Sequence, residues 1–107
     1  MAIQSEAQFA PISAAATPNN TVVAAVAGKK IRVLGFMLVG AGAVVAKFQS
    51  GAGGTDLTGA MTLAAGTSIG VPPFSTGLFE TAVATLLNLN LSGAIQVSGF
   101  LVYCTVE

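Results

Sequence analysis

"IRVLGFMLVGAGAVVAKF", residues 31–48, decides the fold of this chain. It is the most apolar stretch, and three readings compete for it: a membrane span, a strand pair in a core, or a surface that faces a partner. Arg32 and Lys47 bracket it and leave 14 residues between them, whereas a spanning helix needs about 20. Gly35, Gly40 and Gly42 interrupt it, and β-branched Val recurs at 33, 39, 44 and 45. The stretch therefore reads as a β-hairpin. "KIRVLGFMLV" runs out, "GAG" at 40–42 turns, and "AVVAKFQS" returns. In the returning strand Val44, Ala46 and Phe48 share one face, and Val45, Lys47 and Gln49 share the other, with Lys47 and Gln49 towards water. The outgoing strand is apolar on both sides, Val33, Met37 and Val39 against Leu34, Phe36 and Leu38. Such a strand is central to a sandwich or pressed against another subunit. Leu34, Phe36 and Leu38 are thereby candidate interface residues.

Outward from this stretch, glycine punctuates one short strand after another. "TVVAAVA" ends at Gly28, "SGAGGTDLTG" (50–59) is a loop, and "AMTLAAG" places Met61 and Leu63 on one face. Pro72 and Pro73 supply no ladder donors and mark an edge or a corner. "LLNLNLS" alternates cleanly, with Leu87, Leu89 and Leu91 inward and Asn88, Asn90 and Ser92 outward. "IQVSGFLVYCTVE" is the last and longest strand. Residues 79–89 carry a helical pattern, but Thr81, Val83 and Thr85 weaken it to one turn at most. Strands every 8–12 residues or so predict an all-β, antiparallel sandwich of jelly-roll-like form over residues 21–107. Residues 1–20, Ala-rich with Pro11 and Pro18, read as an extended N-terminal arm that Phe9 and Ile12 anchor on a neighbour, with a free tail as the alternative.

Composition narrows the function. The chain of 107 residues is 53% hydrophobic and 7% charged, with four basic and four acidic side chains; about 25% charged is usual for a soluble domain. A lone subunit so poor in charge exposes apolar surface and tends to associate. Zero net charge and one small basic cluster, Lys29, Lys30 and Arg32, offer no track for nucleic acid. With no histidine, Ser–His–Asp and Cys–His machinery and His-ligated metals are excluded. Asp56 and Glu80 are the only carboxylates with any prospect of a shared site, and with no Trp and one Tyr a sugar-cleaving groove is poorly furnished. "GAGGTDLTG" lacks the Lys-Ser/Thr of a phosphate loop. Cys104, the single cysteine, permits no internal disulfide and sits among strand-formers as a small hydrophobe. These observations predict a non-enzymatic protein without cofactor or metal, with no membrane or nucleic-acid partner.

Several segments taken together resemble a pattern in small structural proteins of tailed-phage virions. They are "GKKIRV" (28–33), "SGAGGTDLTG" (50–59), "MTLAAGTSI" (61–69), "GLFET" (77–81) and "LNLSGAIQVSGFLVY" (89–103), so that the likeness covers residues 21–107. The resemblance implies a β-sandwich virion protein, most like a capsid decoration or cement protein. Such proteins commonly sit as trimers at local threefold positions, clamping neighbouring capsid subunits. The implied partners are further copies of the chain and the major capsid protein. The implied location is the capsid surface, with assembly in the host cytoplasm. Similar sandwiches occur in tails and fibres, so a receptor- or glycan-binding module is the alternative. For that role Phe74 and Phe79 are the plausible exposed loop aromatics.

Overall fold

Leu87, Leu89 and Leu91 are all fully buried, as the alternation of "LLNLNLS" predicts. They form one of ten strands in the computed structural model, which describes residues 7–107. In chain order the strands are β1 (Gln8–Ala14), β2 (Asn19–Val23), β3 (Lys30–Gly40), β4 (Val44–Ser50), β5 (Thr55–Asp56), β6 (Met61–Leu63), β7 (Ser68–Val71), β8 (Phe79–Glu80), β9 (Leu87–Leu91) and β10 (Val97–Val106). No helix occurs among the described residues; residues 81–86 turn instead, with Ala84 at a positive φ of 56°.

All pairings are antiparallel and fall into two five-stranded sheets. Sheet A runs β1-β10-β3-β7 with β8 also on β3, and sheet B runs β2-β9-β4-β5 with β6 also on β4. β7 and β8 bond different halves of β3, Phe36–Val39 and Arg32–Val33. β5 and β6 likewise divide β4 between them. Each is therefore one edge strand broken in two. Counted so, eight strands make two four-stranded sheets, β1-β10-β3-β7/β8 and β2-β9-β4-β5/β6, in the order of a jelly roll.

The stretch that fixed the fold class is not a hairpin. β3 belongs to sheet A and β4 to sheet B, so residues 41–43 form an arch from one sheet to the other. The arch is tied to its surroundings rather than to itself: the Ala41 amide donates to the Gln96 carbonyl (2.9 Å) and the Gly40 amide to that of Thr67 (3.1 Å). It folds β4 beneath β3, and Phe36, Phe48 and Phe79 meet between the sheets. Their ring centroids lie 5.2 Å apart for Phe36–Phe48, 5.5 Å for Phe48–Phe79 and 6.3 Å for Phe36–Phe79.

β3 also breaks its own alternation. Against β10 the register steps from Val102↔Gly35 to Tyr103↔Val33, so Leu34 is the extra residue of a β-bulge. Ile31 and Val33 face the core before the bulge, and Phe36 and Leu38 face it after. On its other edge β3 meets the gap between β7 and β8. There the Leu34 carbonyl accepts from the Phe74 amide (3.0 Å) and the Val33 carbonyl from Leu78 (2.7 Å). A Cβ on Gly35 would lie 2.7 Å from the Pro73 nitrogen and 2.8 Å from the Val71 carbonyl oxygen, so only glycine fits. Pro72 and Pro73 thus mark the break in an edge strand, as expected.

The N-terminal stretch is corrected over its described part. Residues 8–14, expected within an arm, are the edge strand of sheet A, pairing from Gln8↔Tyr103 to Ala14↔Val97. Ala10, Ile12 and Ala14 enter the core, and Phe9, Pro11 and Ser13 point away. Asn19 and Asn20 already belong to β2 in sheet B. Residues 1–6 of the expected arm lie outside the described residues.

Two substitutions test this packing in urea denaturation. Phe48→Ala, at the centre of the aromatic trio, is expected to cost about 3–5 kcal/mol. Gly35→Ala is expected to cost about 1–3 kcal/mol, because the obstruction is backbone and not a movable side chain. An unchanged midpoint for Gly35→Ala would show that Pro73 does not press on β3.

Candidate interaction surface

The outward faces of the two sheets differ in kind. On sheet B a line of polar side chains crosses the strands. Asn88, fully buried, donates through Nδ2 to Asn19 Oδ1 (3.0 Å) and Gln49 Oε1 (2.9 Å), and its Oδ1 accepts from the Asn20 amide (2.9 Å). Gln49 Nε2 then donates to Asp56 Oδ1 (2.9 Å), whose Oδ2 accepts from Lys47 Nζ (3.2 Å). The alternation of β4 holds, with Lys47 and Gln49 outward. Gln49 is nonetheless buried at 5% exposure, because the ladder covers it. A buried amide is stable here only because its hydrogen bonds are made within the protein.

The outward face of sheet A carries apolar groups in that place. Phe9 (66% exposed) stacks on Phe100 (36%) with centroids 5.3 Å apart and planes 21° from parallel. Pro11 opposes Phe100 on β10, and Phe100 opposes Met37 on β3. Val102 and Val39 share this face, half-buried and outside the core. Lys30 and Arg32 stand at one end, where both pair with Glu80: Arg32 Nη2 and Nε lie 3.0 Å from Glu80 Oε1, and Lys30 Nζ lies 3.3 Å from Oε2.

Charges are paired over the whole described surface. Besides the Glu80 cluster, Lys47 pairs with Asp56 (3.2 Å) and Lys29 with Glu107 (3.5 Å), so every charged side chain among the described residues has an opposite partner. Solvent-exposed pairs of this kind stabilise a fold by only about 0–1 kcal/mol. Their larger effect is to leave the surface without an unpaired charge. The contacts of Lys29, Lys30 and Arg32 are these internal pairs. Asp56 and Glu80 lie in separate clusters on separate sheets.

The candidate interface residues separate into two groups. Ile12 (3% exposed), Phe36 (6%) and Leu38 (0%) belong to the subunit's own core, and Phe79 packs against it. They are consumed inside the sandwich and are corrected as contact residues. Leu34 is also buried, at the bulge. Phe9 and Phe74 (51%) are exposed, on opposite edges of sheet A. Phe100 was missed, along with Val26 (38%) and Val83 (51%), which lie at the end where the Ala84 amide donates to the Lys29 carbonyl. A period-2 reading of "SGFLVY" places Phe100 opposite Leu101, but only the register with β1 brings it to Phe9.

Cys104 is buried beside Arg32 and Glu80 on the outward side of sheet A. Burial pushes its thiol pKa up, against the opposing pull of the Arg32 charge, and keeps it a poor nucleophile. Among the described residues no three His, Cys, Asp or Glu side chains gather as a metal would need. No helix among them is long and apolar enough to cross a membrane.

Asn88→Ala is expected to destabilise the protein by about 1–3 kcal/mol in urea denaturation, since it strands the Gln49 carbonyl and the Asn20 amide. Acid tests the carboxylates. The hydrogen bonds from Gln49 and Lys47 hold the Asp56 pKa below its ordinary 3.8. For Glu80, burial works to raise the pKa and is outweighed by Arg32 and Lys30, which hold it below its ordinary 4.5. A carboxylate with a depressed folded pKa stabilises the fold above the unfolded pKa and loses that effect as pH falls through the folded value. The urea midpoint should therefore be flat from neutrality down to about pH 5 and then decline, and Asp56→Asn with Glu80→Gln should flatten the decline. An equally steep decline in the double variant would remove these two groups as its cause. Comparison of the chain with known protein families, with curated proteins and with solved structures finds no match.

Proposed function

We propose that this chain is a structural virion protein, a capsid decoration or cement protein that binds the outer capsid surface as an oligomer and stabilises the head. One observation carries the reading. Every described charged side chain has an oppositely charged neighbour, so that what the subunit offers a partner is broad surface without an unpaired charge. Charged ligands and nucleic acid are held by unpaired charge. Protein surfaces are held by area and shape, with charge depleted at the centre of contact. The jelly-roll order of strands supports the reading too, since viral capsid domains use it, as do lectins and cupins.

Cementing is a mechanical task. Several modest contacts, each made at high effective concentration once the first has formed, add up to firm attachment. A rigid sandwich with paired polar groups transmits load between those contacts without rearranging. In this reading the copies associate with one another as trimers, and with the major capsid protein. The site of action is the capsid surface, after assembly in the host cytoplasm.

Exposed Phe74 in the loop after β7 favours a second reading, a glycan- or receptor-binding module of a tail or fibre. Binding on a glycan array that Phe74→Ala abolishes would select it.

The decisive experiment uses expanded, DNA-free heads assembled from the major capsid protein of the same genome. The purified chain should cosediment with them to a fixed stoichiometry and raise their disruption temperature. Heads that sediment without it, and melt unchanged, would overturn the proposal.

A further inference from the structure

We infer that copies of this chain meet through the outward face of sheet A, around the stacked rings of Phe9 and Phe100. The inference rests on the oligomeric part of the proposed function and is independent of any capsid.

The alternatives are removed by the fold itself. Sheets associate by edges or by faces, and all the edges here are blunted. The outer edge of sheet A is β1, where Pro11 has no amide to offer an added strand. The matching edge of sheet B is β2, irregular between Thr21 and Val23. On the far side both edges are the broken strands, β7 with β8 and β5 with β6. Of the two faces, that of sheet B spends its polar groups on the Asn88–Gln49–Asp56 ladder and already covers its centre. The face of sheet A is left with Phe9, Pro11, Met37, Val39, Phe100 and Val102 turned to water.

Size and charge both suit a second copy. Four strands about 4.8 Å apart, each some seven residues long at about 3.4 Å per residue, present on the order of 500 Å². Two such faces together bury about 1,000 Å², at the lower bound for a specific protein interface. A contact between identical chains must also be compatible with itself, since every group on the patch meets groups of that same patch or its near surroundings. A charged patch fails that test by repulsion, and this one passes because its six apolar residues carry no charge and the cations at its end are each paired with Glu80. A ring pair already stacked within each subunit makes a rigid anchor, with little side-chain freedom left to lose on contact.

The test is the mass of the purified chain in sedimentation velocity, without capsids. The wild-type protein should sediment at twice 10.6 kDa or a higher multiple. Phe100→Glu should raise the apparent dissociation constant more than about 100-fold, since like charges brought together at a contact repel. Circular dichroism checks that the variant folds; Phe9→Glu, at the more exposed ring, decides the matter should Phe100→Glu unfold. Mixing Phe100→Glu with Phe100→Lys should restore the larger species. A wild-type monomer at tens of micromolar overturns the inference, and so does an oligomer that neither glutamate variant disturbs. Failure here leaves head binding to be judged by cosedimentation, and failure of head binding leaves the mass measurement standing.

Discussion

β3 is bonded to three other strands, and it serves them all through a one-residue slip. It is bonded along one edge to β10 and along the other to β7 and then β8, and at its end it arches over to β4. With strict alternation, the residues that face the core at its start, Ile31 and Val33, would put Phe36 and Leu38 on the outward side. Leu34, set out of register as a bulge, turns the strand over so that both pairs reach the core. The same slip bends β3 where the partner edge strand must break, and the bare backbone of Gly35 lets Pro73 lie against it. The aromatic trio and the split edge both follow from this phase change.

The two sheets then divide the work. Sheet B stabilises its outward face from within, with amides and a carboxylate exchanging hydrogen bonds across β2, β9, β4 and β5. Such a network specifies register, because sliding one strand by a residue would strand each partner. Sheet A keeps apolar side chains outward and limits their reach by breaking or blunting its edges. Together these features describe a sandwich protected from indiscriminate strand pairing, with apolar side chains exposed on one face.

How much of this was legible in the sequence depends on the kind of signal. The class of fold and the core of β9 were written in alternation, as Leu87, Leu89 and Leu91 show. The turn at 40–42 was legible as a reversal but not as a change of sheet, because a short glycine-containing connection looks alike in a hairpin and in an arch. Leu34, Phe36 and Leu38 were assigned to one face of the strand because alternation cannot reveal a bulge, which exists only relative to β10. β1 was taken for an arm although Ala10, Ile12 and Ala14 keep strict period two; its alanines are too small to register as a hydrophobic stripe. Phe100 lay beyond sequence reading for a similar reason, as its significance comes from Phe9, a residue 91 positions away.

The placement of β10 has a temporal meaning. It follows every other strand in the chain, yet it lies between β1 and β3 in sheet A. During synthesis β1 and β3 therefore wait, each with an open flank, until residues 97–106 emerge and close the largest loop in the molecule at once. Contacts so remote in sequence are slow to form. The native edges are guarded by proline, irregularity and breaks, but these transient flanks have no such guard. The nascent chain is thus most prone to misassociate until residues 97–106 have inserted between β1 and β3.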